Sequence, residues 1–309
     1  MTIDNNLNKN DIAPPVSVVI PNRTGMPHLS YSLESLRNTK YRNYQVVLVD
    51  DGSTDGSLSY VKNNHDKITI LDNNGKRGFA GSVNTGIRHA LEHGASYIAV
   101  FNNDIRVLPE WIELTLNVFA KGKRIGLVGF TEIVKENEEL FYNSTVSRDT
   151  IVCREVKRLA GCLYICSSEV FHSIGYFDED YFMYGEDNDF FTRLTRAGYS
   201  IIETTIPVWH YGEGSSQNNK FMPTWLAYRN ALRFALKNES FWGILMMLVS
   251  LLNQGCNIFL KESANGPNFK RLRRYNPVIN FALIVGSVCW NISKIIPTLK
   301  SRYYSNTQR

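Results

Sequence analysis

A polar triplet, Asn102-Asn103-Asp104, follows an apolar run that ends at Phe101. A carboxylate with amide oxygens beside it suits a hard divalent cation such as Mg²⁺ or Mn²⁺, which also binds substrate phosphates. The alternative is a local turn, or an N-cap for the helix expected after Pro109. Taken alone, the triplet is weak evidence for a metal site.

An acidic pair, Glu186-Asp187, opens a predicted helix. Asp187 lies three and seven residues before the apolar Phe190 and Leu194, and it therefore shares their inward-facing side. A general base needs a fixed position of this kind, within reach of the hydroxyl that it deprotonates. The helix dipole is expected to keep Asp187 ionised and to lower its basicity, so that proton removal accompanies attack. The alternative is an N-cap with a salt bridge, for example to Arg193.

Two loops have the composition of a nucleotide-binding site. Asp50 and Asp51 follow an apolar run, and one of these carboxylates could accept the ring N–H of a pyrimidine. The alternative is that this stretch only forms a turn and caps a helix. The second loop contains Arg77-Gly78, where glycine lets the backbone approach a ligand and the helix N-terminus favours an anion. Arg77 could hold the nucleotide or be a solvated surface charge.

His210 is a second candidate metal ligand, because neutral imidazole binds divalent cations. It follows a predicted strand within the sequence Trp209-His210-Tyr211-Gly212. A lone histidine in an aromatic strand is more often a satisfied core residue, so both interpretations stay open.

The elements that must position these residues are predicted from the apolar runs. Strands are predicted over 16–20, 46–49, 68–71, 97–101, 126–129 and 200–209, and helices over 29–37, 57–64, 80–93, 110–120 and 186–197. Residues 131–158 are polar and irregular, which suggests a variable loop region. Apolar strands that alternate with helices predict an α/β fold with a mostly parallel sheet and helices on both faces. Ligands bind outside the carboxyl ends of such strands, where most of the polar residues described above lie.

Together these stretches resemble the family 2 glycosyltransferases of the GT-A fold, in particular their rhamnosyltransferase-like and galactofuranosyltransferase-like branch. The matching stretches are 18–22, 49–55, 78–86, 101–104, 175–179, 184–189 and 209–210. Their order and spacing are specific, although each stretch alone is not. The resemblance runs from Val16 to about Ser216, nearly two thirds of the chain.

The resemblance implies a metal-dependent, inverting transfer in a single displacement. Asp187 would be the catalytic base, and Asp104 and His210 would hold Mg²⁺ or Mn²⁺. The chain departs from the family's metal motif by having Asn102 in its first place, so Asp104 carries most of the burden. The donor nucleotide would lie against Pro21, Asn22, Arg23, Asp50, Asp51, Arg77, Gly78, Asn84, Asn102 and Asn103. The acceptor side would comprise Gly161, Cys162, Glu186 and Trp209.

The same resemblance favours dTDP-rhamnose as the donor, with UDP-galactofuranose or another UDP-hexose next. The acceptor would be a hydroxyl of a glycan or a polyprenyl-linked glycan in cell-surface polysaccharide synthesis, such as O-antigen or capsule. A sugar nucleotidyltransferase is the main alternative, but the loop at 21–25 is short and poor in glycine for that class. A catalytically silent binding protein is a second alternative, against which Asp104, Asp187 and His210 argue.

Composition limits the class of protein. Of the 309 residues, 43% are hydrophobic and 20% charged, which is typical of a globular chain. The net charge of +5, without a basic stripe, is too small to indicate nucleic-acid binding. The five cysteines form no CxxC, so we expect no disulfide framework and we expect a reducing cytoplasm.

We expect a flexible tail over 1–13, a GT-A domain over 14–222 and a C-terminal helical region over 223–309. Within the GT-A domain, 14–106 would bind the nucleotide and 107–222 the acceptor.

The C-terminal region contains two uncharged runs, 240–260 and 275–293, each near the length of a membrane span. The segment between them, 261–274, has five basic residues and one acidic residue. A spanning hairpin would place this basic segment across the membrane from the catalytic domain, which the positive-inside tendency disfavours. We therefore expect helices that lie on an anionic membrane surface, peripheral on the inner face of the cytoplasmic membrane. The alternative is a soluble appendage, and an oligomer is also possible.

Overall fold

The computed structural model of the chain describes residues 13–73, 75–122, 124–212, 221–256 and 275–307. The predicted N-terminal tail lies outside these residues apart from its last position, as does the basic segment 261–274. The described residues form a layered α/β domain, followed by a set of C-terminal helices.

One nine-stranded sheet forms the centre of the molecule, in the order β3-β2-β1-β4-β8-β6-β9-β5, with β7 paired to β9. The strands are β1 (Val16–Asn22), β2 (Tyr44–Asp50), β3 (Thr69–Asp72), β4 (Tyr97–Phe101), β5 (Ile105–Val107), β6 (Ile125–Val134), β7 (Cys153–Val156), β8 (Leu163–Ser167) and β9 (Ser200–His210). Six strands run in one direction, whereas β5, β7 and β8 run in the other. The predicted mostly parallel sheet is confirmed.

Helices cover both faces of the sheet, as the apolar runs predict. They are α1 (His28–Arg37), α2 (Ser57–Asn64), α3 (Gly78–Glu92), α4 (Trp111–Phe119), α5 (Glu138–Tyr142), α6 (Ser168–Ile174) and α7 (Glu186–Arg196). Successive side chains of a strand point to opposite faces, so β1 contributes to two cores. Val18 and Ile20 pack with α1 and α4. Val19 packs on the other face, with α3, α6 and α7.

The region 131–158 is more ordered than its composition predicts. Strand β6 continues to Val134, α5 follows, and β7 pairs antiparallel with β9. Three of the four residues of β7 are exposed, because this strand lies at an edge of the sheet and, among the described strands, pairs only with β9. A strand that buries neither face lacks the apolar signal from which strands are predicted, and this is why the loop prediction was wrong.

After the sheet, the described residues form α8 (Phe221–Asn238), α9 (Phe241–Cys256), α10 (Pro277–Ser293) and α11 (Ile295–Thr307). A small core of Tyr228, Leu232, Leu251, Leu283 and Ile284 joins α8, α9 and α10. Within the described residues, no single helix is both long and apolar enough to cross a membrane. Helix α10 and the start of α11 are together long and apolar enough for a membrane span, but the chain bends by 67° between them.

Candidate active site

Three strands bring a carboxylate, an imidazole and a second carboxylate together. Asp104 lies in the turn after β4, and Ile105 beside it pairs with His210 at the end of β9. The His210 Nε2 atom is 3.3 Å from the Asp104 Oδ1 atom. Its Nδ1 atom bonds the Oε1 atom of Glu132, which β6 supplies from the other side of β9. Asp104 is buried, and Glu132 is partly exposed.

The two carboxylates control the charge of His210. Burial lowers its pKa, but the hydrogen bonds to Asp104 and Glu132 raise it, to about 9. The imidazolium at neutral pH therefore offsets one of the two negative charges that face it. A site that holds two carboxylates around one positive charge suits a divalent cation, for which His210 would give up its proton.

The neighbouring atoms fit a hard cation. The side-chain oxygen of Asn102, two residues before Asp104, is buried and has no hydrogen-bond partner in the part of the chain that the structure describes. The Cys162 sulfur lies within 4.8 Å of the Glu132 and His210 ligand atoms. Burial raises the pKa of the Cys162 thiol, which stays protonated and is a poor ligand. The remaining oxygen and imidazole donors suit Mn²⁺ or Mg²⁺ rather than a soft metal.

Glu132 was not among the residues singled out from the sequence. It lies in the stretch predicted as irregular, and nothing in its neighbours marks it. Only the pairing of β6 with β9, in which Glu132 stands opposite Val208, places its side chain beside His210. Because that pairing contains a register shift between Gly129 and Thr131, counting along the strand would not have found it.

The acidic pair at the start of α7 is the second part of the site. Gly185 is the N-cap, so Asp187 stands inside the first turn and is not the cap. Glu186 is buried, and its Oε2 atom has no hydrogen-bond partner among the described residues. Arg193 pairs with Asp189 at 3.0 Å, and not with Asp187.

The pKa values of the pair oppose the expectation from the helix dipole. Burial and the charge of Asp187 raise the pKa of Glu186 to about 8. Burial also raises the pKa of Asp187, although the backbone N–H of Asn188 donates to its Oδ1 atom at 2.7 Å. The expectation of lowered basicity was wrong, because loss of solvent outweighs the favourable field of the helix.

This arrangement predicts a pH dependence of stability. Folded Glu186 keeps its proton up to about pH 8, whereas the unfolded side chain releases its proton near 4.5. Its contribution to the free energy of unfolding should therefore fall as pH rises from about 4.5 to about 8. Glu186→Gln should remove this contribution, so the variant should gain melting temperature over the parent between pH 5 and pH 8. Scanning calorimetry across that range measures the difference, and a difference that does not change with pH would contradict the assignment.

Two successive residues of the loop before β8 connect the acidic pair with the cluster of Asp104, Glu132 and His210. A Cβ atom added to Gly161 would lie 2.7 Å from the Asp187 Oδ2 atom, so the carboxylate rests directly against this glycine. The sulfur of the next residue, Cys162, lies within 4.8 Å of the Glu132 and His210 ligand atoms, and its carbonyl accepts the Asn102 N–H at 3.0 Å. Asp187 and Asp104 therefore face the same edge of the sheet.

Two buried carboxylates, Asp50 and Asp51, hold the loop after β2 and the loop before α3. Asp51 accepts the backbone N–H groups of Arg77 and Gly78, at 2.7 and 3.1 Å. Its carboxylate thus shapes the loop before α3, and the Arg77 side chain is exposed. Asp50 accepts the N–H groups of Gly52 and Ser53 in its own turn, at 3.1 and 3.0 Å.

The Asn22 side chain connects the loop after β2 with the turn that contains Asn103 and Asp104. Its amide donates to Asp50 at 3.2 Å, and its oxygen accepts from the Asn103 amide at 2.8 Å. Its neighbours Pro21 and Arg23 are partly exposed beside it. The loops after β1, β2 and β4 therefore form one connected rim at the carboxyl ends of the strands.

Two further residues named from the sequence have partners inside the protein. Asn84 donates to the Phe177 carbonyl at 2.9 Å and accepts the Phe177 N–H at 3.0 Å, so it joins α3 to the segment before α7. Trp209 is buried under the Arg106 guanidinium, which lies 4.4 Å from the centre of its ring. The indole N–H of Trp209 has no partner among the described residues.

Comparison with known proteins gives one family and several relatives. The protein-family model described as "Glycosyl transferase family 2" matches residues 17–187, more than half of the chain. An N-acetylglucosaminyl-diphospho-decaprenol L-rhamnosyltransferase of Mycobacterium tuberculosis is 23% identical over 270 residues, which cover 75% of this chain and 86% of that protein. The Escherichia coli UDP-Glc:alpha-D-GlcNAc-diphosphoundecaprenol beta-1,3-glucosyltransferase WfgD is 24% identical over 151 residues, which cover 46% of this chain and 58% of that protein.

Solved structures share the fold at low identity. The mannosyltransferase PcManGT from Pyrobaculum calidifontis, in complex with GDP-Man and Mn²⁺, is 16% identical with a TM-score of 0.57. The match covers 96% of this chain and 90% of that one. TarS from S. aureus in complex with UDP-GlcNAc is 16% identical with a TM-score of 0.54, over 94% of this chain and 81% of that one. These neighbours are GT-A glycosyltransferases, which confirms the predicted fold class.

Proposed function

This chain belongs to glycosyl transferase family 2, and on that premise we propose that it moves a sugar from a nucleotide-sugar donor to a hydroxyl of a lipid-linked glycan, with inversion at the anomeric carbon. The observation that carries the proposal is that the Asp187 carboxylate and the cluster around His210 lie beside successive residues of one loop, before β8. Gly161 and Cys162 connect the two parts of the site there.

In the proposed reaction, Asp187 accepts the proton of the acceptor hydroxyl while the oxygen of that hydroxyl attacks the anomeric carbon of the donor sugar. The bond from that carbon to the diphosphate breaks in the same step, and the nucleoside diphosphate leaves. Asp104 and His210, with Glu132 behind the imidazole, would hold Mg²⁺ or Mn²⁺, which neutralises the charge of the leaving diphosphate. Protonated Glu186 adds no second negative charge beside Asp187.

We propose dTDP-rhamnose as the donor, because the M. tuberculosis relative is named as an L-rhamnosyltransferase. A UDP-sugar is the next candidate, since the E. coli relative is named as using UDP-Glc. A panel of nucleotide sugars with Mn²⁺ or Mg²⁺ and a polyprenyl-diphosphate-linked sugar tests the reaction. Release of nucleoside diphosphate that stops on chelation supports transfer, whereas release of pyrophosphate would indicate nucleotidyl transfer instead.

The names of both relatives contain a polyprenyl-diphosphate-linked sugar, which supports a lipid-linked acceptor for this chain. The C-terminal helices add a structural reason. Large apolar side chains on them are exposed, among them Phe241 at 74%, Trp242 at 70% and Val278 at 77%. We propose that these exposed apolar side chains, together with Met246 and Ile296, rest on an anionic membrane on the cytoplasmic side.

Membrane docking gives a direct prediction. The double variant Phe241→Ser and Trp242→Ser should bind vesicles of phosphatidylglycerol and phosphatidylcholine at least about tenfold more weakly, since two aromatic anchors are lost. Co-sedimentation measures the partition. Leu140→Ser with Val152→Ser is the matched control, because these side chains are similarly exposed at 61% and 65% on the transferase domain. Equal losses in the two double variants would contradict docking through the C-terminal helices.

A further inference from the structure

The segment that leads into α7 has a backbone that cannot hold its shape alone. Phe182, Tyr184 and Gly185 all have positive φ, at 63°, 71° and 94°. For Phe182 and Tyr184, which carry side chains, this backbone conformation is strained. Such strain persists only where neighbouring groups enforce it, and Asp187 stands two residues beyond this segment.

The front of the segment rests on the donor loop. The Phe182 carbonyl accepts the N–H of Ala80, at the start of α3, at 3.1 Å. A Cβ atom added to Gly78 would lie 2.5 Å from the same carbonyl, so only glycine allows this approach. The shape of the segment therefore decides both where α3 begins and where Asp187 points.

The back of the segment is held by two neighbouring buried side chains of α8, and the first of them, Arg229, donates to the Tyr181 carbonyl at 2.6 Å. The Asn230 amide nitrogen lies 3.0, 2.8 and 2.7 Å from the carbonyl oxygens of Tyr181, Met183 and Tyr184. The Asn230 oxygen accepts from the Arg229 Nε atom at 2.9 Å, which fixes the orientation of the amide. One side chain thus gathers three carbonyls that the positive φ values turn towards α8.

Charged residues further along the same face of α8 extend this contact. Arg233 and Lys237 follow Asn230 at helical spacing, and both bind Asp178, at 2.8 and 2.7 Å. Lys237 also binds Asp189, in the first turn of α7, at 2.8 Å. Burial alone would raise the pKa of Asp189, but Lys237 and Arg193 hold it at about 2. Helix α8 therefore binds the chain on both sides of Asp187, at 181–184 before it and at Asp189 after it.

We propose that Asn230 is a positioning residue for the transfer reaction: by gathering the carbonyls of 181, 183 and 184 it fixes the backbone that aims Asp187 at the acceptor. The proposal rests on the proposed role of Asp187 as base. It gives α8 a role in positioning the base, beyond packing against the transferase domain. On this proposal, loss of the Asn230 hydrogen bonds leaves the residues at the edge of the sheet in place but lets the Asp187 side chain move.

The test compares two isosteric substitutions in the full-length protein. Asn230→Asp removes both amide hydrogens and points a carboxylate at three carbonyls. Asn280→Asp is the matched control, because Asn280 is also fully buried in the C-terminal helices and its amide donates to the Gly255 and Tyr275 carbonyls, both at 2.9 Å. Both changes cost stability, but only the first touches the segment before α7.

Two readouts separate positioning from general destabilisation. In Asn230→Asp, hydrogen exchange of 181–187 should accelerate at least about tenfold. Its kcat should fall about 10- to 100-fold, with a smaller change in the KM for the donor. Asn280→Asp should change neither. Asn230→Ser, which keeps one donor, should be intermediate in both readouts, and it replaces Asn230→Asp if that variant lacks a cooperative melting transition.

Equal exchange rates over 181–187 in the two aspartate variants, or equal loss of kcat, would overturn the proposal, as would unchanged behaviour of Asn230→Asp. The exchange measurement needs no substrate. If the wild-type protein released no nucleoside diphosphate from any donor, the proposed function would fail while the exchange readout still decided whether Asn230 holds the segment.

Discussion

Asp187→Asn should lower kcat by about 10³-fold or more while donor binding stays within about threefold. Asparagine keeps the size of the side chain beside Gly161 but cannot accept the proton of the acceptor hydroxyl. Steady-state release of nucleoside diphosphate gives kcat, and calorimetric titration with the donor in Mn²⁺ gives its affinity. The change removes an interaction made only as the proton moves, so kcat and not affinity should suffer.

Asp66→Asn is the control for the chemical change, because Asp66 is an exposed carboxylate in the loop after α2. It should retain the parent activity and the parent melting temperature. An Asp187→Asn variant with nearly full kcat, or one that loses donor affinity in proportion to its activity, would show that this carboxylate is not the base.

Asp104→Asn should weaken Mn²⁺ binding by about 100-fold and lower kcat/KM at moderate Mn²⁺ concentration by a similar factor. The substitution removes the charged ligand that lies 3.3 Å from the His210 Nε2 atom, and the remaining amides are weaker ligands. Electron paramagnetic resonance of free Mn²⁺ measures the affinity without reference to turnover.

Excess metal distinguishes this variant from the preceding one. Raising the Mn²⁺ concentration should restore much of the activity of Asp104→Asn, because its defect is in binding the cation. The same excess should leave Asp187→Asn inactive, because its defect is in proton transfer. A parent-like Mn²⁺ affinity in Asp104→Asn would contradict the assignment of this turn as the metal site.

The sequence predicts the framework well because buried strands and amphipathic helices carry a local signal. The runs over 16–20 and 97–101 lie within β1 and β4, and the polar residues after them lie at the carboxyl ends of the sheet. The encounter of Asp104 with His210, more than a hundred residues later in the chain, follows from pairing of β5 with β9. No local pattern contains that pairing, so the sequence alone could offer each residue only as a separate candidate.

Two kinds of residue were beyond such reasoning. The Glu132 side chain binds His210 of the adjacent strand β9, and the register between two strands is a tertiary property that a local sequence pattern does not contain. Asn230, Arg233 and Lys237 stand on a helix where polar side chains would be taken for a solvated face, yet all three are buried against the segment before α7. Their partners, such as Asp178 and Asp189, are supplied by distant parts of the chain.

A crystal structure of the protein with Mn²⁺ and a nucleoside diphosphate-sugar would test the central claim most directly. We predict Mn²⁺ bound to Asp104 and His210 and to the diphosphate, with the anomeric carbon of the sugar facing the carboxylate of Asp187. A cation bound away from these residues, or a sugar whose anomeric carbon is shielded from Asp187, would contradict the account.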